Sequence, residues 1–302
     1  MGDWTRTAFL SLTDMGYATL RRVLFRRPAQ GWHESLESLL SSWDDSRTMQ
    51  MLCRQSHMRA FPTMQTSVGG VELPFPMMLA AGFVKGVGFA TEREALAASR
   101  DTNIIPGWRT MPALVGPVEF GSYTRHPRLG NPSTVIWRHA KTHSTQNRIG
   151  LRNPGAVAAA AFLGRNAADL PPVFGINIAV SPGVEDITQQ REEIVESLAA
   201  FVGRGVRPSW FTLNVSCPNT EDDPENNQTE TLTRELCAAA VDYLREQATA
   251  TKGEIPLWVK IGPELAPTQY SVLMHVFHEV GVRAVVATNT LPRPAPISTH
   301  LT

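Results

Sequence analysis

The sequence predicts an α/β protein built on a parallel sheet, and two patterns predict it. From about residue 69, short continuous apolar runs alternate with longer helical stretches, the signature of parallel strands covered on both faces. Each run also ends in a cluster of polar residues, and parallel α/β domains gather their chemistry at the C-terminal ends of strands. The composition permits a large core: of 302 residues, 42% are hydrophobic and 19% charged, which excludes a disordered or collagen-like chain. Lys+Arg 28 balance Asp+Glu 28 to a formal net charge of +0, which argues against nucleic-acid binding through bulk charge.

Residues 1–68 form a helical extension. Phe9, Leu10, Leu12, Met15, Tyr17, Leu20, Val23, Leu24 and Phe25 recur at helical spacing. Arg21, Arg22, Arg26 and Arg27 sit at the C-terminal end, where positive charge suits the helix dipole. Pro28 and Gly31 break this helix, and a second runs from about His33 to Trp43. The pair reads either as a cap on the main domain or as an amphipathic surface lying on a membrane, with arginines toward lipid headgroups. No apolar run reaches the roughly 18 residues of a membrane span, and Asp3, Arg6 and Asp14 interrupt any secretory signal.

Residues 69–302 form the main domain. Its candidate strands are Pro76–Ala81, Val118–Ser122, Val173–Ala179, Trp210–Ser216, Leu257–Ile261 and Ala284–Thr288. Thr91–Arg100 is the first candidate helix between them. Ala156–Arg165 follows, with Asn153 and Pro154 as cap and first turn, and then Val184–Val202, Thr229–Thr249 and Pro267–Val280. This makes about six βα units before the Pro-rich stretch Leu291–Ile297. Either an open six-stranded sheet or an incomplete barrel accommodates them.

The strand ends carry Gly82, Phe83 and Lys85; Gly121, Ser122 and Thr124; Asn177; Asn214, Ser216, Cys217, Pro218, Asn219 and Thr220; Lys260; and Thr288, Asn289 and Thr290. A buried amide or ammonium is costly without a partner, so this many at one end points to a ligand. Amides, hydroxyls, two lysines and a thiol, with no carboxylate or histidine cluster, suit a planar hydrogen-bonding ligand or an anion and not a metal. Cys53, Cys217 and Cys237 show no metal or CxxC spacing and read as reduced thiols.

At N-V-S-C-P-N-T (Asn214–Thr220) the chain resembles the dihydroorotate dehydrogenases, FMN-dependent (β/α)8 TIM-type barrels of pyrimidine synthesis. Further likeness follows in order. L-A-A-G-F-V-K (Leu79–Lys85), V-E-F-G-S-Y-T (Val118–Thr124) and G-N-P (Gly130–Pro132) come first. N-R-I-G-L-R-N-P-G (Asn147–Gly155), G-I-N-I (Gly175–Ile178), V-K-I-G-P-E-L (Val259–Leu265) and A-T-N-T (Ala287–Thr290) complete the series, over roughly residues 69–292.

The resemblance implies that Ala81, Gly82, Lys85, Ser122, Asn177, Asn214, Lys260 and Thr288 contact FMN. It implies that Lys85, Asn147, Asn214, Asn219 and Asn289 hold dihydroorotate, with Cys217 as catalytic base and Cys53 and Cys237 left as inert buried thiols. A Cys base is typical of soluble members. Gly16–Pro28, His33 and Arg138 instead resemble the membrane-associated branch that passes electrons to a quinone. The implied location is peripheral on the cytoplasmic side of a membrane, or on the mitochondrial inner membrane in a eukaryote. The chain departs from the family pattern at Val84, Gly86, Val87, Gly88, Arg128 and Leu151. Its similarity stops before the last two barrel strands, whose loops bind the FMN phosphate in this family. The resemblance thus implies a C-terminally truncated barrel. An inactive fragment, or a related flavoprotein acting on another pyrimidine, is the alternative.

Overall fold

The computed structural model describes residues 3–140, 142–216, 229–251, 253–263 and 265–291. Three helices come first: α1 (Asp3–Leu24), α2 (Ala29–Asp44) and α3 (Arg47–Ala60). A hairpin, β1 (Thr66–Val68) and β2 (Val71–Leu73), turns at Gly69 and Gly70. Next are α4 (Glu92–Asp101), α5 (Thr110–Val115) and β3 (Val118–Tyr123). A second hairpin, β4 (Ile136–His139) and β5 (Ser144–Asn147), precedes α6 (Ala156–Arg165) and β6 (Phe174–Ala179). The rest runs α7 (Ile187–Gly203), β7 (Trp210–Asn214), α8 (Glu230–Glu246), α9 (Ala248–Thr251), β8 (Leu257–Ile261), α10 (Pro267–Val280) and β9 (Ala284–Ala287).

The main sheet has the order β3-β6-β7-β8-β9, every pair parallel. Each strand lies beside the strand of this sheet that follows it in the chain, with only the separate β4–β5 hairpin intervening, so the order never reverses. An open doubly wound sheet has a reversal, and a barrel wall does not. Helix packing agrees: α4 packs on α6, α6 on α7, α7 on α8 and α8 on α10, a single layer following the strand order on the outer face. The structure therefore favours the barrel over the open sheet.

The first expected strand, Pro76–Ala81, forms no ladder. It is reduced to a parallel bridge between Leu79 and Val118, with Leu79 N donating to Pro117 O and Glu119 N to Leu79 O, both at 2.9 Å. Pro74 and Pro76 remove donors beside it, which shortens what can pair. The last expected strand ends at Ala287, short of Thr288. Residues from Pro292 onward lie outside the described residues.

The outer face of the sheet forms the main core. Phe120, Ile176, Ile178, Phe211, Leu213 and Val259 meet helix residues such as Leu163, Leu198, Phe201 and Leu236, all of them buried. Helix α6 fits tightly because Ala156, Ala158, Ala159 and Ala160 are fully buried and small. Its N-cap is Gly155, at φ 80°, and not Asn153. Asn153 acts one step earlier: its Oδ1 accepts from Gly155 N at 2.8 Å and from Thr124 N at 3.3 Å. The side chain therefore ties the loop to the end of β3 before the helix begins.

Helix α3 packs directly on α5, and the end of α2 is fastened to the segment before α5 by a carboxylate. Asp44, fully buried at the end of α2, accepts from Gly107 N at 2.6 Å, Arg109 N at 3.1 Å and Thr110 N at 2.9 Å. Thr110 Oγ1 and Asn103 Nδ2 complete the set at 2.8 and 2.9 Å. By contrast α1 lies largely exposed, with Trp4, Leu12, Met15 and Tyr17 on its surface.

Candidate functional site

The inner face of the sheet is stacked in three levels. Alternation sends Glu119 on β3, Gly175, Asn177 and Ala179 on β6, Trp210, Thr212 and Asn214 on β7, and Trp258 and Lys260 on β8 away from the helix-facing core. The lowest level is apolar. Trp210 and Trp258 stack with ring centroids 4.5 Å apart, and Val71 and Leu73 of the hairpin close the barrel floor beneath them. The close approach requires Gly175, because a Cβ there would lie 2.1 Å from the Trp210 ring.

The second level is polar and holds a residue the sequence reading missed. Glu119 is 2% exposed. Its carboxylate accepts from Asn177 Nδ2 at 2.7 Å, Trp210 Nε1 at 2.9 Å and Thr212 Oγ1 at 2.6 Å. The inventory drawn from the sequence contained no carboxylate, and the structure corrects it. Three donors from two neighbouring strands replace the water that Glu119 loses on burial. Asn177 is itself fully buried, and its Oδ1 has no hydrogen-bond partner.

The third level lies at the C-terminal strand ends. Asn214 Nδ2 donates to Ser122 Oγ at 3.3 Å, and Asn214 Oδ1 accepts from Ser216 N and Ser216 Oγ, both at 3.1 Å. Asn289 reaches across from the end of β9, its Nδ2 donating to Ser216 O at 2.6 Å. Lys85 and Lys260 are buried here, 6% and 8% exposed. The loop carrying Ala81, Gly82 and Lys85 is fastened to β3, with Gly82 N donating to Gly121 O at 2.7 Å and Gly121 N to Val84 O at 3.0 Å. Gly82 adopts φ +122°, and a Cβ there would meet nothing within 4 Å, so its backbone borders open space.

Of the residues singled out from the sequence, Ala81, Gly82, Ser122, Asn214, Lys260 and Asn289 belong to elements that meet at the strand ends. Asn177 lies one level lower. Thr288 is exposed, its hydroxyl donating to Asn289 O at 2.9 Å. Asn147 lies on the separate β4–β5 hairpin, where its Oδ1 accepts from Ile149 N at 3.5 Å. Cys217 and Asn219 lie outside the described residues. Cys53 and Cys237 are buried away from this face, and burial pushes the Cys237 thiol up to about 12. Among the described residues no group of His, Cys, Asp and Glu could hold a metal ion. The amides, hydroxyls and buried lysines fit a flat ligand of mixed donors and acceptors, and the orphaned Asn177 oxygen and the open side of Gly82 leave unused capacity for one.

The N-terminal helices reach the edge of this site. His33 on α2 packs edge-on to Phe83, with ring centroids 5.8 Å apart, two residues before Lys85. Arg138 lies over the Phe25 ring, 4.4 Å from its centroid. A cavity of about 120 Å³ opens between α2 and the hairpin segment, lined by His33, Ile136, Ile149 and Arg152 among others. Glu37 pairs with His33 at 3.3 Å and with Arg152. Burial opposes its charge, but His33 and Arg152 prevail and hold the carboxyl below its ordinary value.

The dihydroorotate dehydrogenase family model matches residues 63–300. Among curated proteins, the dihydroorotate dehydrogenase (quinone) of Mycolicibacterium smegmatis is 31% identical over 284 residues, covering 91% of this chain and 69% of the relative. The enzyme of the same name from Chloroflexus aurantiacus is 31% identical over 277 residues, covering 90% and 69%. Among solved structures, the ligand-free DHODH of Eimeria tenella superposes with a TM-score of 0.62 at 24% identity, over 84% of this chain and 70% of that one. At that identity the structural likeness speaks for the fold.

Proposed function

The chain belongs to the dihydroorotate dehydrogenase family, and from that premise we propose that it binds FMN at the strand ends and passes electrons to a quinone. The reaction is the oxidation of dihydroorotate to orotate by a flavin-dependent oxidoreductase acting on a CH–CH bond, the redox step of pyrimidine synthesis. FMN, when bound, supplies the two-electron acceptor for the hydride that leaves C6.

The protein's share is positioning, charge and a base. Asn214 and Asn289 present amides at the strand ends and Ser122 a hydroxyl, a set suited to a carboxylated pyrimidine lying against a flat ring. Lys85 and Lys260 bring positive charge into a buried place, where it offsets negative charge that develops on reduction. Cys217 is the proposed base for the C5 proton. A thiol of ordinary value about 8.5 serves near neutral pH when neighbouring cations favour its thiolate. The meeting of Lys85, Ser122, Asn214, Lys260 and Asn289 at one end of the sheet is the observation that carries this reading.

Two observations support the quinone as acceptor. The similar curated enzymes are quinone enzymes by name. Helix α2 meets the site's loop where His33 packs on Phe83, and His33 also lines a cavity between α2 and the hairpin segment. No helix among the described residues is long and apolar enough to cross a membrane. The exposed Leu12, Met15, Leu20 and Val23 of α1, with Arg21 and Arg22 in its last turn, support peripheral contact with an anionic bilayer.

Anaerobic mixing of the FMN-loaded protein with dihydroorotate tests the reading. The visible flavin band should bleach, and a soluble quinone analogue should restore it where fumarate does not. Failure to bleach refutes the site, and reoxidation by fumarate alone refutes the quinone. Cys217→Ala should retain flavin and lose bleaching near pH 7; unchanged bleaching removes Cys217 from the mechanism.

A further inference from the structure

Glu119 is tied to the proposed flavin site through a single side chain. Three donors converge on its two oxygens: Asn177 Nδ2 on Oε1, and Trp210 Nε1 and Thr212 Oγ1 on Oε2. An indole N–H can only donate, and a carboxylate can only accept. Asn177 must therefore turn its NH2 toward Glu119, whichever way the amide would otherwise lie. Its Oδ1 is left fully buried and without a partner. Such an oxygen demands a donor. Its residue lies one level below Asn214 and Ser122, on the same inner face. We infer that Glu119 is a positioning residue, which commits the Asn177 oxygen to a donor on the bound ligand. Resting on the flavin reading, the donor is the ring imide N–H, the one N–H that an oxidised isoalloxazine carries.

Glu119→Gln reverses this logic with almost no change of shape. The glutamine oxygen must serve Trp210 and Thr212, so its NH2 faces Asn177. The Asn177 amide then turns over and presents NH2 to the ligand, donor against donor. Exchanging the two functions restores the pattern. In Glu119→Gln combined with Asn177→Asp, the Gln NH2 donates to one Asp oxygen and the other Asp oxygen faces the ligand as an acceptor. The net charge is that of the natural pair.

The experiment compares FMN affinity of the full chain by quenching of flavin fluorescence, together with the absorption spectrum of bound FMN and the melting temperature without flavin. Glu119→Gln should keep a cooperative melt, bind FMN at least tenfold more weakly and shift the bound spectrum. The double variant should return to within threefold of wild type in affinity and regain the wild-type spectrum. If Glu119→Gln does not fold, the double variant against wild type decides alone: within threefold supports the inference, and a loss beyond tenfold overturns it. Undiminished affinity in Glu119→Gln, or a double variant no better than the single one, also overturns it. A wild-type chain that takes up no FMN overturns the flavin reading first and this inference with it.

Discussion

Replacing Asp44 by alanine removes the one carboxylate that joins α2 to the segment before α5. The side chain is fully buried and accepts from Gly107 N, Arg109 N, Thr110 N, Thr110 Oγ1 and Asn103 Nδ2. The Asn103 amide and the Thr110 hydroxyl can rotate toward other partners. The three backbone N–H groups cannot, because the 107–110 turn fixes their direction. Each unmet buried donor costs about 1–3 kcal/mol, and water entering the vacated space recovers part of that. The net loss should be about 3–5 kcal/mol, in line with breaking other buried charged networks. Against a total stability of about 5–15 kcal/mol this is a large fraction. For a chain of this size the melting temperature should fall on the order of 10 °C. Asp44→Asn keeps one acceptor oxygen but turns an NH2 toward donors, so it should lose about half as much. Differential scanning calorimetry on the three proteins measures this. A melting temperature for Asp44→Ala within 1 °C of wild type would refute the claim that this carboxylate fastens the end of α2 to the barrel.

Two further outcomes follow from ionisable groups. Cys237 is fully buried with its thiol pushed up to about 12, and burial also raises the Cys53 thiol, so neither should react with iodoacetamide at pH 8 in the native protein. Mass spectrometry should find native labelling at Cys217 alone, suppressed by dihydroorotate; labelling at Cys237 before unfolding would show that the α8 core opens. The folded-state value of Glu37 lies below the ordinary 4.5, so its pairs with His33 and Arg152 contribute stability above pH 4.5 and lose it as pH falls through the lowered value. The stability gap between wild type and Glu37→Gln, measured by urea titration, should therefore be largest near pH 6 and close in acid; a gap that widens in acid would contradict it.

The barrel wall was legible because its strands carry an unambiguous pattern. Leu257–Ile261, Ala156–Arg165 and Pro267–Val280 appear in the structure with the bounds read from the sequence. Continuous apolar runs buried on both faces leave little choice of conformation. What escaped notice was short or held by tertiary contact. Helix α3 has Cys53 as its one buried side chain, so it offers no apolar stripe to read. The β1–β2 hairpin did have a signal, Gly69-Gly70 between Val68 and Val71, which marks a two-residue turn. Leu79 failed as a strand because one bridge and two prolines leave it too little pairing.

The candidate site divides along a physical line. Residues at strand ends announce themselves, since an Asn, Ser or Lys that interrupts an apolar run is costly unless it is used. Glu119 is the same kind of interruption inside V-E-F-G-S-Y, yet it carries the weaker signal. A carboxylate in the second position of a strand reads as a solvent-facing edge residue when the partners that would pay for its burial are unseen. Those partners are Asn177, 58 residues away, and Trp210 and Thr212, some ninety residues away, and nothing local ties them to it. Register supplies the link. Glu119 stands opposite Gly175, and Gly175 opposite Trp210, so the missing side chain at position 175 lets the indole reach across to the carboxylate. A glycine in a central strand weakens it unless something else needs the space. The glycine of G-I-N-I therefore serves the polar level of the site as much as the fold, and Gly175→Ala should disturb Asn177 by displacing Trp210 from Glu119.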